Sequence, residues 1–285
     1  MFKTIGTRVW AFDAEWIPDP LAGRMLYHLG PEVPDPEVFQ VMWQKGGATN
    51  DDPMPYLKTV LCRIVSIVAV ERVAKGRDEV RLHLLSLPRD SQDPAQTAEG
   101  HVIGTFLGKA GEYKPQLVGF NSASADLKAL IQRGVVQGLT LPAFCKRPNK
   151  PWEGEDYFDS RNSEAGVDLK DVLGGWGKGT PSLNEIATLS GIPGKMEVDG
   201  QQVANLWLEG RLDRIVQYNE FDALTTYLVW LRVAHFGGHF TTEQYQQEQQ
   251  LVRDLLAREI QENGKTHLNE FLAEWDRLEG MRRSE

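Results

Sequence analysis

Cysteine and histidine are scarce in this chain of 285 residues, which contains 2 cysteines and 6 histidines. Cys62 and Cys145 lie far apart, and neither has a second cysteine or a histidine at the spacing of a zinc ligand. Disulfide frameworks and structural zinc sites depend on such spacings. The sequence therefore argues against both.

Long apolar runs are also absent. No segment approaches the roughly 20 apolar residues that a membrane-spanning helix needs, and the first residues, MFKTIGTRVW, lack the apolar core of a secretory signal. The composition, with 41% hydrophobic and 25% charged residues, is typical of a globular protein. We expect a soluble, cytoplasmic protein with no membrane partner.

Basic residues are outnumbered, since 31 Lys and Arg stand against 40 Asp and Glu and the formal net charge is −9. Proteins that bind nucleic acid broadly, by displacing its counterions, usually carry a basic face. The charge argues against that class, but not against an enzyme that contacts a few nucleotides through divalent cations held by carboxylates. The arrangement of the acidic residues therefore has to distinguish between these two classes of protein.

The hydrophobic pattern predicts an α/β fold. Apolar runs rich in Val, Ile and aromatic residues predict strands at 8–17, 63–73, 80–87 and 116–121, the second and third forming an antiparallel hairpin. Helices are predicted at about 37–44, 94–109, 125–133, 167–173, 182–191, 201–210 and 212–235. The proline-rich residues 18–59 are otherwise expected to be irregular. We expect a mixed β-sheet flanked by helices over residues 1–238, and a C-terminal helical extension over 239–285, broken near Gly264 and packed on it.

Two carboxylates, Asp13 and Glu15, lie two residues apart in the first predicted strand. Side chains alternate along a strand, so both point to the same face. Their mutual repulsion and their desolvation in so apolar a strand favour a bound cation, and hard divalent ions prefer oxygen ligands. The alternative is a strand end at which both acids reach solvent or pair with arginine.

Two further acids have ordinary structural explanations as well. Asp126 stands near the start of a predicted helix, after the strand that ends at Asn121, where an acid commonly caps the helix. Asp222 follows Tyr218 by four residues in the long helix predicted at 212–235, so both share one face. A Tyr and an Asp at this spacing are common in helices that have no catalytic role.

The order of these motifs is more specific than any one of them. A strand with D-x-E, then a strand, turn and helix with N-x4-D, then a late helix with Y-x3-D resemble the DEDD 3′–5′ exonucleases of the DnaQ-like, RNase H-like superfamily. Within it the chain is most similar to the predicted exonucleases related to the proofreading domain of family B DNA polymerases, over about residues 8–235. Gln217 stands where the histidine subclass has its histidine, and Tyr218 matches the tyrosine subclass.

The resemblance implies an RNase H-like sheet and phosphodiester hydrolysis with two divalent metal ions, Mg²⁺ or Mn²⁺. It makes Asp13 the ligand shared by both ions, places Glu15 and Asp222 on the nucleophile side, and gives the second ion to Asp126. Tyr218 is too weak a base at neutral pH and is expected to orient the attacking water. These five are the expected catalytic residues.

Four more residues are expected to contact substrate: Trp16, Asn121, Lys178 and Lys195. Lys178 lies in a glycine-rich stretch, 174–180, that imitates a phosphate-binding loop but does not match its spacing. The chain departs from the family at Ala125, where an aromatic residue usually precedes the second acid. This departure bears on the shape of the groove at the terminal nucleotide.

We therefore expect a 3′–5′ exonuclease that acts on single-stranded nucleic acid and releases nucleoside 5′-monophosphates. The segment 239–285 is shorter than the extra nucleic-acid-binding domain that some RNA-processing relatives carry. The resemblance therefore favours DNA. We expect no polymerase domain, so proofreading would require a polymerase or repair partner in trans. The alternatives are a nucleic-acid-binding module without turnover, an exoribonuclease, and an endonuclease of the related RNase H fold.

Overall fold

A computed structural model describes residues 1–76, 79–150, 153–159, 163–174, 177, 179–194, 196 and 202–283. Within these residues one sheet is formed by β1 (Arg8–Pro18), β2 (Cys62–Lys75), β3 (Glu79–Leu87), β4 (Gln116–Gly119) and β5 (Gly166–Asp168). The strand order is β3-β2-β1-β4-β5, in which β1, β2 and β3 are antiparallel neighbours and β4 and β5 run parallel to β1. The predicted mixed sheet is confirmed.

Helices flank this sheet. They are α1 (Pro20–Tyr27), α2 (Asp35–Lys45), α3 (Glu99–Tyr113), α4 (Asp126–Val136), α5 (Pro142–Cys145), α6 (Leu169–Leu173), α7 (Leu183–Leu189), α8 (Gln202–Leu208), α9 (Leu212–Phe236), α10 (Thr242–Asn263) and α11 (Leu268–Arg283). None of the helices in the described part of the chain is both long enough and apolar enough to cross a membrane.

Alternation along β1 divides the core into two layers. Trp10 and Phe12 pack with α3 and α4 on one face of the sheet, whereas Val9 and Ala11 pack with α9 on the other. The long helix α9 contacts β1, β2, β3 and β4 and is buried along most of its length. The odd-numbered residues that continue β1 beyond Ala11 therefore point toward α9 as well.

The segment between β1 and β2 is more regular than its proline content suggests. It holds two helices, of which α2 was predicted and α1 was not. Pro20 fits the first turn of α1 because that position needs no backbone N–H, and Asp19 caps the helix by accepting the N–H of Leu21 at 2.9 Å. Gly23 lets α1 approach α2, since a side chain there would collide with Val38. The prolines thus begin helices here instead of preventing them.

The predicted start of the helix at Pro94 is wrong, because α3 begins at Glu99. The carboxylate of Asp93 accepts the backbone N–H of Ala95 at 2.9 Å and the side-chain amide of Gln96 at 2.9 Å. Local hydrogen bonds of this kind compete with helix formation. They hold a turn over the residues that precede α3.

The helix predicted over 167–173 is only partly correct. Val167 and Asp168 belong to β5, and the helix that follows, α6, begins at Leu169. Asp168 ends the strand and caps α6 by accepting the N–H of Lys170 at 3.0 Å. A strand of 3 residues is too short to show alternation in the sequence.

The two C-terminal helices, α10 and α11, pack on the sheet and on α9. Phe271 and Trp275 of α11 belong to the same apolar cluster as β1 and α9. In the interior, the Arg72 guanidinium of β2 donates to the Glu248 carboxylate of α10 at 2.8 Å. The same carboxylate accepts the hydroxyl of Tyr227 in α9 at 2.9 Å. The division of the chain at residue 238 stays a prediction.

Candidate active site

Three carboxylates meet where β1 faces α9. Asp13 and Glu15 lie two residues apart on β1, and Asp222 lies on α9. Each offers an oxygen atom within 4.8 Å of the oxygens of the other two. Side chains alternate along β1, so Asp13 and Glu15 share the face toward α9, and Asp222 on α9 meets them there. Acids from distant parts of the chain therefore form one cluster.

A fourth acid, Asp126, reaches the cluster from the start of α4. It is 5% exposed, and its Oδ1 accepts the backbone N–H of Ala14 at 3.2 Å. The loop before α4 turns at Asn121, whose φ of +65° is in the left-handed region. The Asp168 carboxylate fixes this loop, because it accepts the N–H groups of Asn121 at 2.8 Å and of Ala123 at 3.0 Å. Asp168 therefore helps to position Asp126.

Burial and mutual repulsion raise pKa values within the cluster. The pKa of Asp13 is raised well above its ordinary value by burial first and then by the other three carboxylates. Burial also raises the pKa of Asp126 to about 7, with Asp168 and Asp222 adding to the effect and two backbone hydrogen bonds opposing it. The charged neighbours with the largest effects on these two groups are other carboxylates. A set of carboxylate oxygens of this kind fits a hard divalent cation.

Tyr218 lies behind the carboxylates and does not line the cleft they face. Its side chain is 6% exposed and packs with Ile17 and Phe39. Among the carboxylates, that of Asp222, one helical turn away, acts most strongly on its hydroxyl. Burial first, and then the nearby carboxylates, raise the pKa of the Tyr218 phenol. The phenol therefore stays protonated and serves as a hydrogen-bond donor.

The carboxylates line an open cleft of about 490 Å³. Its aromatic and apolar wall is formed by Trp16, Trp43, Met54, Tyr56 and Phe120. The ring of Tyr56 stands edge-on to that of Trp16, with centroids 6.4 Å apart and planes at 80°. Among the described residues that line the cleft there is no lysine, arginine or histidine. The site thus combines an acidic cluster with an aromatic wall.

The residues expected to contact substrate are only partly placed by this structure. Trp16 and Asn121 line the cleft, and the side-chain oxygen of Asn121 accepts a hydrogen bond from Lys170 Nζ at 3.3 Å. Lys178 and Lys195 lie outside the described residues.

Trp43 and Tyr56 line the cleft but were not singled out from the sequence. The signal available for them was two aromatic residues within the proline-rich segment 18–59. That signal does not indicate which aromatic side chains of the segment lie close to β1.

The family of predicted 3′–5′ exonucleases related to the exonuclease domain of PolB matches residues 54–275 of this chain. The matched segment begins after β1, so it contains Asp126, Tyr218 and Asp222 but not the two acids of β1. No curated protein matches the sequence.

The structure is similar to that of a family B DNA polymerase from the hyperthermophilic archaeon Pyrobaculum calidifontis, with a TM-score of 0.48 and 16% sequence identity. The similarity covers 80% of this chain and 24% of the polymerase, so the chain spans about a quarter of that protein's length.

Proposed function

This chain belongs to the family of predicted 3′–5′ exonucleases related to the exonuclease domain of PolB, and we propose that it is a metal-dependent 3′–5′ exonuclease. The proposed substrate is single-stranded nucleic acid, DNA in preference to RNA, which is shortened by one nucleoside 5′-monophosphate at a time. The observation that carries the proposal is the meeting of Asp13, Glu15 and Asp222 in an open cleft, with Asp126 beside them. An activity of this kind would serve a polymerase or repair partner in trans.

The four carboxylates would hold two divalent ions, Mg²⁺ or Mn²⁺. We assign Asp13 to both ions, because an oxygen of Asp13 lies within 4.8 Å of oxygens of Glu15 and Asp222 and the charge of Asp126 also acts on it. Glu15 and Asp222 would complete one ion and Asp126 the other. Such ions, when bound, neutralise the scissile phosphate and lower the pKa of a water molecule. The carboxylates in turn stay ionised at neutral pH once positive charge offsets their repulsion.

We assign Tyr218 to orienting the attacking water and holding Asp222. Its protonated hydroxyl is a donor one helical turn from the Asp222 carboxylate, a proposed metal ligand that acts on it. Because the ring is packed in the core, the hydroxyl position is set by the fold and not by solvent. A small movement of the Asp222 side chain would present the same hydroxyl to the cleft, as apo sites often tighten only with substrate.

A nucleic-acid-binding module without turnover is the second candidate, and the acid cluster counts against it. Carboxylates that face a phosphate without a cation repel it. Their own burial is also unfavourable, as the raised pKa values of Asp13 and Asp126 indicate. A binding surface gains nothing from this arrangement, whereas a metal-dependent hydrolase requires it.

The test uses 5′-labelled single-stranded DNA and RNA incubated with Mg²⁺, with Mn²⁺ or with EDTA. Asp13→Ala is compared with Glu262→Gln, a matched loss of charge at an exposed position of α10. We expect a ladder that shortens from the 3′ end, disappears with EDTA and with Asp13→Ala, and persists with Glu262→Gln. Binding of intact strands with every metal would favour the binding module, a faster RNA ladder the exoribonuclease, and internal cuts the endonuclease.

A further inference from the structure

A groove follows one side of α3, on the face of the sheet that points away from α9 and the acid cluster. Every fourth residue of α3 from His101 to Tyr113 lines it, so this side is about 18 Å long at 1.5 Å per residue. Leu85 and Leu87 of β3 line the side toward the sheet edge. The space between these two sides, about 430 Å³ in volume, is named the α3 groove.

The helical layer on this face of the sheet leaves β3 partly open. The ring of Phe106 in α3 packs against those of Trp10 and Phe12 in β1, with centroids 5.5 and 5.2 Å apart. The edge strand β3 lies two strands away from β1. Packed helices are about 8–10 Å apart, which equals two strand spacings of about 4.8 Å. A further helix beside α3 would therefore lie over β3.

The two faces of β3 differ in how well they are covered. On one face α10 contacts the strand, and Leu82 and Leu84 are 5% and 8% exposed. Leu85 and Leu87 point to the other face, where they are half-buried. The floor of the α3 groove thus keeps apolar surface that a helix could bury.

The groove is cationic, although the chain as a whole has a net charge of −9. Its described lining includes Arg8, Arg89 and Lys109, against one carboxylate, that of Glu71. Glu71 is already engaged, since it accepts hydrogen bonds from Arg8 at 2.6 Å and from the Trp10 indole at 2.9 Å. A segment rich in carboxylates therefore meets attraction in this groove.

The two exposed cations of the groove, Arg89 and Lys109, are available to such a segment. Lys109 pairs with Glu112 at 2.7 Å, but both side chains are about half exposed, so solvent screens this ion pair. Its lysine can exchange one carboxylate for another at little cost.

We propose that the α3 groove binds an acidic amphipathic α-helix of a partner protein. The apolar side chains of this helix cover Leu85 and Leu87, and its carboxylates face Arg89 and Lys109. A groove of about 18 Å accommodates about three helical turns, with apolar anchors at positions i, i+4 and i+7. The inference goes beyond the proposed function, because the groove and the acid cluster lie on opposite faces of the sheet. A bound partner therefore holds the enzyme and leaves the cleft open.

Docking is measured by fluorescence anisotropy with a labelled synthetic peptide of about four helical turns, which carries Leu at i, i+4 and i+7 and Glu or Ala elsewhere. A second peptide has Lys in place of every Glu, and a third has a central proline. All titrations contain EDTA, so that no cation links a peptide to the acid cluster.

Four proteins are compared in this assay. They are the wild type, Asp13→Ala, the double variant Arg89→Glu/Lys109→Glu, and the control Lys45→Glu/Lys146→Glu. The control makes the same change in net charge at two exposed positions outside the groove. Circular dichroism checks that each variant is folded.

We expect the acidic peptide to bind the wild type and Asp13→Ala with the same Kd. Arg89→Glu/Lys109→Glu should raise this Kd by about 10-fold or more at low salt, because two attractive contacts become repulsive. The control Lys45→Glu/Lys146→Glu should change it by less than about 2-fold, since charges beyond the Debye length are screened. The lysine peptide should not bind, and the proline peptide should bind at least about 10-fold more weakly, because proline breaks the helix.

Several results would overturn the inference. They are a Kd above about 1 mM for the acidic peptide, equal binding of the acidic and lysine peptides, and equal losses in the two double variants. Undiminished binding of the proline peptide would show that the groove takes an extended segment instead of a helix. A dimer in sedimentation velocity that Arg89→Glu/Lys109→Glu dissociates and the control does not would assign the groove to a second copy of this chain. None of these measurements depends on turnover, so failure of the exonuclease assay is distinguishable from failure of this inference.

Discussion

The acidic cluster should make the metal-free protein less stable as the pH rises. The pKa of Asp126 is raised from 3.8 to about 7 in the folded protein, and that of Asp13 is raised as well. A group whose pKa is higher in the folded chain binds more protons there than in the unfolded chain. Its contribution to stability is therefore present below the unfolded pKa and is lost as the pH rises through the folded pKa.

The size of this loss follows from the shift. A rise from 3.8 to about 7 corresponds to about 4 kcal/mol over the whole titration, of which about 2–3 kcal/mol falls between pH 5 and pH 8. Glu220, whose pKa is lowered, acts in the opposite direction, and its contribution is lost only as the pH falls through the acid range. The window from pH 5 to pH 8 therefore lies above the titration of Glu220, and the difference between the wild type and Asp126→Asn within it reports on the cluster.

The assay is urea unfolding in EDTA at pH 5, 6, 7 and 8, followed by circular dichroism. Asp126→Asn should show a flatter pH dependence and gain about 2–3 kcal/mol relative to the wild type between pH 5 and pH 8. Asp254→Asn, an exposed substitution on α10, should keep the wild-type slope. Mg²⁺ or Mn²⁺ at 100 times its Kd should return about 2.7 kcal/mol to the wild type at pH 8 and less to Asp126→Asn.

Two results would refute this reasoning. If the wild type and Asp126→Asn lose stability with the same slope, the charge of Asp126 is not what opposes folding. If the metal stabilises both proteins equally, the buried carboxylate is not a ligand. Either result would leave Asp126 as an ordinary residue at the start of a helix.

Three further predictions concern other side chains. Asp13→Ala should abolish nucleotide release, whereas Tyr218→Phe should slow it by roughly 100-fold. A single-turnover gel assay measures both rates, and rates near that of the wild type in both variants would contradict the assigned roles. Glu220→Gln should lower the free energy of unfolding by about 2–4 kcal/mol without changing the cleavage rate of the folded enzyme, because this buried carboxylate pairs with a lysine and a histidine before α11. Urea unfolding measures the effect, and an unchanged unfolding midpoint would contradict the prediction. Gly119→Ala should reduce both the unfolding midpoint and the cleavage rate, since a Cβ at this position collides with Ser122 in the loop before α4; a variant that keeps both would show that the loop adjusts freely.

The elements that could be predicted are those with long periodic patterns. The strands β1, β2 and β3 were predicted to within one or two residues, because each is a long run of β-branched and aromatic residues. The long helix α9 was predicted for the same reason. The short elements α1 and β5 were not, since 8 and 3 residues carry too little periodicity to separate them from loops. Their positions are set by caps and tertiary contacts.

The candidate site divides in the same way. Alternation alone places Asp13 and Glu15 on one face, so their relation was predictable from two positions in a strand. The burial of Tyr218 was not predictable, because a spacing of four residues puts it on the same helical face as Asp222 without showing how closely α9 packs on the sheet. The position of Tyr56 could not be predicted, because its contact with Trp16 depends on how a long insertion folds back to β1.

The acidic character of this chain is consistent with a nuclease that handles only the end of its substrate. A net charge of −9 repels a nucleic acid at a distance, and the described lining of the cleft offers no basic side chain to reverse that repulsion. Within the described lining, attraction is then left to the carboxylates, once they hold the proposed cations, and to the aromatic wall. Interior phosphates of a strand meet no compensating charge along the described lining, so we expect its binding energy to come mainly from the terminal nucleotide. The same charge distribution that disfavours broad binding along a strand therefore favours action at its end.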